Sequence, residues 1–419
     1  MSTVRYFDSV PHIARYGMHD DKNGGKSRTL FYRNGVCFKI NVAGGDVSGT
    51  AFADTWSKLL GRPDVSDQKQ SWIAQWDALC DCVITPCLPL LETLAPSSHQ
   101  WVTLHDYIHT PTYDLKLVAD EAKTGDVVPE ITDGPTDRPS YEHHLMHFAE
   151  ISSLSEHHVT QYRAGDLVVL GQDKNWRRPP HKVRAPSGDV FFFRACNRPS
   201  RNVSTGQITN SSLDVINAFL RLYPQSSGAS SSGAAEGVNI PRLQGVVVSH
   251  ANAGLEESTA PSAADEGQAK QQEEESLCAG ILTNFVPGAK TLAELIKLSN
   301  NRDQTIDLSK YKEKWKDQIA LAIKHLHDHR ITVGGRSGAN AWYLINQHTI
   351  RVAPKIDGDD KPDNAPGADF HDADAWLTLS GGCTVHPLAE GNKEEATDGE
   401  KFKEEQAMDW AALEKVFQF

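Results

Sequence analysis

The sequence predicts an α+β protein in which antiparallel strand pairs alternate with helices. Residues 29–32 and 36–42 are rich in aromatic and β-branched side chains, and they flank the tripeptide Arg33-Asn-Gly35. An Asn-Gly pair between two such runs favours a tight hairpin turn. Residues 312–329 carry apolar side chains at the three- and four-residue spacing of a helix. Strand and helix signals then follow each other along the chain, which predicts a mixed fold.

Composition and charge narrow the classes of protein that fit. Of the 419 residues, 39% are hydrophobic and 23% are charged, as in ordinary globular proteins. The sequence contains no apolar stretch long enough to cross a membrane, its N-terminus lacks the apolar core of a signal peptide, and its seven cysteines are scattered. We therefore expect a cytoplasmic protein. The net charge of −13 argues against a broadly basic nucleic-acid surface and suits a cationic ligand better.

Residues 1–165 are predicted to form an N-terminal extension that is mainly helical. After the strand pair described above, residues 51–93 carry Trp56, Leu59, Trp72 and other apolar residues at helical spacing. Farther on, a strand-like run begins at Tyr113 and is followed by polar turns.

Residues 166–285 contain most of the remaining strand signals. Strands are predicted at 167–171, 190–195, 240–248 and 279–285, with a helix at 213–223. Ser212 is the expected N-cap of that helix. Residues 226–236 and 251–276 are of low complexity and are predicted to be flexible insertions, so the strands on either side of the second insertion are expected to form a hairpin. Helices at 291–298 and 312–329 follow.

Several motifs, in order, resemble those of fungal protein-kinase-like proteins. They are the helix Trp315 to His327, the segment Ile331 to Ile345 where the catalytic loop stands, the Asp-Ala-Trp-Leu run from Asp374, and the helix from Asp409 that buries an aspartate under that loop. The resemblance implies a two-lobed protein-kinase-like fold. It has an antiparallel-sheet small lobe at 166–285 and a truncated helical large lobe at 286–419.

The resemblance also shows which phosphotransfer residues are missing. The catalytic aspartate aligns with Gly335, the following lysine with Ser337, and the metal-binding aspartate with Leu379. The asparagine ligand remains as Asn340, but one carboxamide does not hold Mg²⁺. Phosphoryl transfer depends on a base, a lysine and metal ligands together. The sequence therefore indicates a pseudokinase-like protein without conventional phosphotransfer and without a metal or cofactor.

Two further positions describe what the cleft retains. The third-strand lysine aligns with Arg194, which keeps the charge but not the compact geometry. The helix carboxylate that would pair with this cation is Asp214. The glycine-rich loop is reduced to Gly171 and is followed by bulky residues, including Trp176, which would obstruct a nucleotide.

The segment 355–374 is rich in aspartate and supplies the candidate ligand-binding residues. In the kinase-like frame, Asp369, Asp372 and Asp374 join Arg194 and Asp214 as substrate-binding candidates, and Asp372, Asp374 and Asn340 are the catalytic candidates. Carboxylates without a metal motif suit a guanidinium or ammonium group. The simpler interpretation is a solvated acidic loop.

Three alternative functions stay open at this stage. A tRNA-dependent synthase of arginine-containing cyclic dipeptides would use the acidic residues for an arginyl group, as an aminoacyl transferase of fungal secondary metabolism. Its candidate RNA contacts are Lys174, Arg177, Arg178, Lys182 and Arg184, although the net charge counts against tRNA. A regulatory pseudokinase that binds a protein partner is the second alternative, and an active atypical kinase is the third.

Overall fold

The fold is known from a computed structural model. It describes residues 12–19, 25–60, 75, 78–96, 100–122, 125–136, 145–147, 151, 154, 157, 159–171, 180–196, 200–201, 208–223, 237–250, 276–300, 307–333, 345–354, 372–379, 383–387 and 395–419. Both low-complexity insertions predicted above lie outside these residues, except for Ser276 at the end of the second. Among the helices of the described part, none is long and apolar enough to cross a membrane. The structure is mixed α+β, as predicted.

The described residues fall into two compact units. The first unit takes in the described residues up to 143 and those from 163 to 188. The second takes in those from 144 to 162, from 189 to 251 and from 261 onward. This division assigns residues 166–188 to the N-terminal unit, whereas the resemblance assigns them to the small lobe.

A five-stranded sheet forms the centre of the first unit. Its strands, in spatial order, are β1 (His12–His19), β2 (Lys26–Arg33), β3 (Val36–Ala43), β4 (Thr112–Ala119) and β5 (Val127–Thr136). All neighbours are antiparallel except β3 and β4, which are parallel. The prediction that this part of the chain is mainly helical is therefore wrong. The strand-like run that begins at Tyr113 is confirmed as β4, whereas β1 and β5 had not been predicted as strands.

The predicted hairpin is confirmed between β2 and β3. Asn34 and Gly35 both have positive φ, at 50° and 77°, as a primed turn requires. One face of the sheet, with Phe31, Phe38 and Ile40, packs into a core that includes Trp56.

Helices and a short strand pair complete the first unit. They are α1 (Ala51–Leu60), α2 (Leu88–Leu94), α3 (Leu104–Ile108), β8 (Val168–Leu170) and β9 (Lys182–Arg184). Trp56 on α1 donates its indole N–H to Ser27 Oγ at 3.0 Å, which ties this helix to β2.

The second unit is built on an antiparallel sheet. Its strands are β6 (Met146–His147), β7 (Gln161–Arg163), β10 (Val190–Ala195), β13 (Leu243–His250) and β14 (Ser276–Asn284). β14 pairs with β13, β10 and β6, so the predicted hairpin around the second insertion is confirmed. Gly280 on β14 has no room for a side chain, because a Cβ there would lie 2.4 Å from the carbonyl oxygen of Arg194.

Helices and short strands follow the sheet of the second unit. These are β11 (Ser200–Arg201), β12 (Ile208–Thr209), α4 (Ser211–Leu222), β15 (Lys290–Thr291), α5 (Leu292–Ser299), α6 (Lys312–Asp328), β16 (Ile331–Thr332), β17 (Ile350–Ala353), β18 (Asp374–Leu377), β19 (Thr384–Val385) and α7 (Glu395–Val416). The three predicted helices are confirmed as α4, α5 and α6. The N-cap of α4 is Asn210, whose side chain accepts from the amides of Ser212 and Leu213, and not Ser212 as predicted.

One apolar core joins these elements. It contains Trp315 and Ile319 of α6, Leu377 of β18, Leu413 of α7 and Val246 of β13. Because the same core receives strands and helices, the side chains of α6 and α7 that belong to it are held in fixed positions.

Candidate functional site: a buried arginine and its surroundings

Arg194 reaches from β10 to the segment that follows β18. Its backbone pairs with Ile281 on β14, and its Nη1 donates to the carbonyl oxygen of Leu379 at 2.5 Å. The two residues are 185 positions apart in sequence. The sequence resemblance assigns both of them to the phosphate-handling site, and the structure brings them into direct contact.

Leu379 presents only its backbone to this site. Its side chain is 3% exposed and belongs to the apolar core. A leucine cannot bind a metal ion, and its carbonyl oxygen is already occupied by the guanidinium. Leu379 therefore contributes to packing through its side chain and to the contact with Arg194 through its backbone.

The guanidinium of Arg194 has no carboxylate beside it among the described residues. Burial lowers the pKa of Arg194, while the sulfur atoms of Cys383 and Cys196 act in the opposite direction. Its Nη2 atom is shielded from solvent and has no hydrogen-bond partner within the described residues. A buried donor without an acceptor is costly, and Arg194 Nη2 is the only buried side-chain donor in this condition among the described residues of the second unit.

The cysteines beside Arg194 do not supply the missing negative charge. The sulfur atoms of Cys196 and Cys278 lie 4.0 Å apart. The hydrogen bond from Cys278, together with burial, raises the pKa of Cys196 well above its ordinary value. Cys383 donates to the carbonyl oxygen of Asp214 at 3.4 Å. Since a thiol with a raised pKa stays neutral near pH 7, Cys196 does not compensate the charge of Arg194.

Asp214 does not take the role expected of it as the partner of Arg194. It lies in the first turn of α4, but the ion pairs found among the described residues include none between its carboxylate and Arg194. The described contact from this helix to the surroundings of Arg194 is made by the backbone of Asp214, through Cys383.

Asp374 and Asp372 both contact helix α6. The carboxylate of Asp374 accepts from Gln318 at 2.6 Å and lies 3.1 Å from the Lys314 ammonium. Lys314 also donates to the carbonyl oxygen of Asp372 at 3.2 Å. Trp315 donates its indole N–H to the carbonyl oxygen of Ala373. These contacts fasten the start of β18 to α6, so the charge of Asp374 is already paired.

The remaining acidic and catalytic candidates cannot be placed. Asp369 and Asn340 lie outside the described residues, as do Gly335 and Ser337. Of the candidate RNA contacts, Lys174, Arg177 and Arg178 also lie outside, while Lys182 and Arg184 are on β9 in the first unit. Burial, followed by the charge of Arg184, lowers the pKa of Lys182.

Asp409 connects α7 to Val333, the residue that follows β16. It is completely buried, and its Oδ2 accepts from the amide of Val333 at 3.0 Å and from Nε2 of His327 at 2.9 Å. Its other carboxylate oxygen is buried without a partner within the described residues. The predicted burial of this aspartate is confirmed.

A second buried histidine–carboxylate pair lies one helical turn away and was missed by the sequence analysis. Glu405 accepts from His386 Nε2 at 2.9 Å and from Thr332 Oγ1 at 2.6 Å, and its side chain is 4% exposed. The four-residue spacing of Glu405 and Asp409 places both on one face of α7. The sequence signal that could have revealed this pair is the position of both acidic residues on the helix face that also carries Phe402 and Leu413.

The histidines of α6 do not assemble a metal site in the described part of the chain. The rings of His325 and His329 lie 4.5 Å apart, and His329 Nδ1 is within hydrogen-bond distance of the carbonyl oxygen of His325. The described residues contain no group of three or more side chains suited to a metal ion.

No protein-family model matches this sequence, and no curated protein matches it significantly.

Proposed function

We propose that the second unit is a pseudokinase-like scaffold that acts by binding a ligand and does not carry out conventional phosphotransfer. The observation that carries the proposal is the contact between Arg194 and the carbonyl oxygen of Leu379. In the kinase-like frame, these positions hold the phosphate-binding lysine and a metal-binding aspartate. Here a planar guanidinium meets a core leucine, which leaves no carboxylate for Mg²⁺ at that position.

Two further observations support the kinase-like frame itself. The strand β10 that carries Arg194 pairs with β14, and α4 follows it in sequence. At the other end, Asp409 accepts from the amide of Val333, immediately before the segment that aligns with the catalytic loop. Both features agree with the order of motifs read from the sequence.

The polarity of the site favours a ligand that accepts hydrogen bonds. Arg194 Nη2 is a donor without a partner among the described residues, whereas Asp374 is paired with Lys314 and Gln318. A carboxylate, phosphate or carbonyl oxygen would satisfy Arg194. The cationic ligand predicted from the acidic segment has no such support from Asp374, and for Asp369 it stays a prediction.

Nucleotide assays on the full chain test the loss of phosphotransfer. We expect neither Mg²⁺-dependent ATP binding by calorimetry nor ATP hydrolysis above background. Mg²⁺-dependent turnover that disappears in Arg194→Met but persists in Arg242→Met would contradict the proposal. Arg242 is a suitable control because it stacks on the ring of Tyr223 in the same unit.

Thermal-shift measurements with small acids test the binding function. Small carboxylates that bind at Arg194 are expected to raise the melting temperature of the unchanged protein but not that of Arg194→Met, since a ligand stabilises only the state it binds. Equal shifts in both proteins would place the ligand elsewhere and remove the support for binding at this arginine.

A further inference from the structure

Two arginines converge on the end of β19, away from the residues used above. Arg221, in the last turn of α4, donates from Nη1 to the carbonyl oxygen of His386. Arg330, just after α6, donates from Nε to the carbonyl oxygen of Pro387 at 3.2 Å. The two acceptors belong to consecutive residues, and the charge of Arg330 acts on the guanidinium of Arg221, so the two groups lie within electrostatic reach of each other.

Neither guanidinium has a carboxylate partner among the described residues. The ion pairs found there include neither Arg221 nor Arg330. The carboxylate in contact with His386 is Glu405, whose Oε2 already accepts from His386 and Thr332. Burial, and then the charge of Arg330, lowers the pKa of Arg221. Two like charges thus lie near each other, and the described residues supply no ion pair to either of them.

The backbone and an aromatic ring fix the orientation of Arg330. Its φ is +58°, a conformation that costs energy for a residue with a side chain, and its own carbonyl oxygen accepts from the amide of His386. Its guanidinium lies 4.4 Å from the centroid of the Phe402 ring. Stacking and the bond to Pro387 leave the two terminal nitrogens of Arg330 free of described hydrogen bonds.

We propose that Arg221 and Arg330 form a binding site for a phosphate-type oxyanion. A guanidinium presents two parallel N–H groups that match the oxygens of a phosphate. Each arginine uses one nitrogen to hold a carbonyl oxygen, and this positions the remaining N–H groups before the anion arrives. A dianion between them would remove the repulsion between the two charges. This site is independent of Arg194 and of the proposed function.

Calorimetric titration of the full chain with inorganic phosphate tests the proposal, at an ionic strength kept constant with chloride. We expect saturable binding that persists in Arg194→Met, with a stoichiometry of one in that variant. Arg221→Gln and Arg330→Gln should each weaken it by about tenfold to a hundredfold, the loss expected for a charge-assisted hydrogen bond. Arg242→Gln, which removes an arginine stacked on another ring, should leave the affinity unchanged.

Two outcomes would overturn the proposal. One is the absence of saturable phosphate binding by the unchanged protein, a result that requires no variant to fold. The other is an equal loss of affinity in Arg242→Gln and in the two test variants. If Arg221→Gln proves unfolded by circular dichroism, Arg221→Lys retains the charge, and the expected result is an intermediate affinity.

A second titration with O-phosphoserine identifies the source of the anion. Tighter binding than that of inorganic phosphate would indicate a phosphorylated side chain. Equal or weaker binding would indicate free phosphate. Either result supports an oxyanion site, provided that the binding of O-phosphoserine is lost in Arg330→Gln.

Discussion

Asp409 and Arg194 are both buried charged groups of the second unit, and they differ in how completely they are bonded. Asp409 accepts from the Val333 amide and from His327, and so joins three segments of chain. Arg194 makes one described hydrogen bond, to the carbonyl oxygen of Leu379, and retains an unbonded Nη2. Both residues thus keep one atom without a partner among the described residues, but Asp409 joins segments of the fold through two hydrogen bonds, whereas Arg194 makes one.

This difference in hydrogen bonding predicts a difference in stability when either charge is removed. A buried charge is tolerated when hydrogen bonds replace its lost hydration, and it is costly otherwise. Asp409 on α7 meets that condition with two hydrogen bonds and leaves one oxygen unbonded, whereas Arg194 on β10 has a single described hydrogen bond. Removing a charge should therefore have opposite effects on stability in the two places.

The largest effect is expected for Asp409→Ala. The substitution leaves His327 and the Val333 amide without their acceptor, and breaking a buried pair costs about 3–5 kcal/mol. Urea unfolding followed by tryptophan fluorescence measures the loss. Asp328→Ala is the matched control, because Asp328 forms an exposed pair with Lys324 and should change stability by less than about 0.5 kcal/mol. Similar losses in both variants would refute the structural role of Asp409.

A smaller loss of stability is expected for Asp374→Ala. Its carboxylate joins β18 to Gln318 and Lys314 at a partly exposed site, so the free energy of unfolding should fall by about 1–2 kcal/mol. Glu414→Ala serves as the control, since its pair with Lys316 is largely solvent-exposed. A variant of Asp374 with unchanged stability but altered ligand binding would instead favour the cation-binding role predicted from the sequence.

Arg194→Met should be neutral or slightly stabilising. It removes a buried charge with an unbonded donor at the cost of one hydrogen bond, so we expect a gain between zero and about 1 kcal/mol. Arg351→Met is the comparison, because Arg351 stacks on Phe192 and is attracted by Glu294. It should lose stability. A loss above about 2 kcal/mol in Arg194→Met would show that this charge is fully compensated in the fold.

The smallest expected effect is a change in how the stability of the protein depends on pH. Burial, and then the neighbouring His329, lowers the pKa of His325 below its ordinary value of 6.5. The unfolded chain therefore takes up a proton before the folded chain does as the pH falls below 6.5. This component of stability is present above that pH and is lost below it. Unfolding of His325→Gln between pH 8 and 5 should show a shallower decline, with exposed His348→Gln as the control. Parallel curves for His325→Gln and the unchanged protein would rule out this contribution.

The elements that could be predicted are those whose signal is local. Asn34-Gly35 specified its hairpin because few other residues accept two positive φ angles. Helix α6 followed from the apolar spacing of Trp315, Ile319 and Leu326, which are all buried. The burial of Asp409 followed from the motif that contains it.

The features that could not be predicted depend on contacts between distant segments. Helix α6 neutralises Asp374 through Lys314, 60 positions away in sequence, and no spacing rule in the acidic segment reveals this. The parallel pairing of β3 with β4 brings together residues that are more than 70 positions apart, such as Lys39 and Asp114. Glu405 and His386 likewise meet only after the core has formed.

The spacing of Glu405 and Asp409 has a consequence for α7. Glu405 bonds the side chain of Thr332, and Asp409 bonds the amide of the next residue, Val333. The two acidic residues lie about 6 Å apart along the helix axis. A rotation of α7 by one residue, or a slide by one turn, would break both bonds at once. The pair therefore sets the rotational phase and the axial position of the C-terminal helix against a single strand.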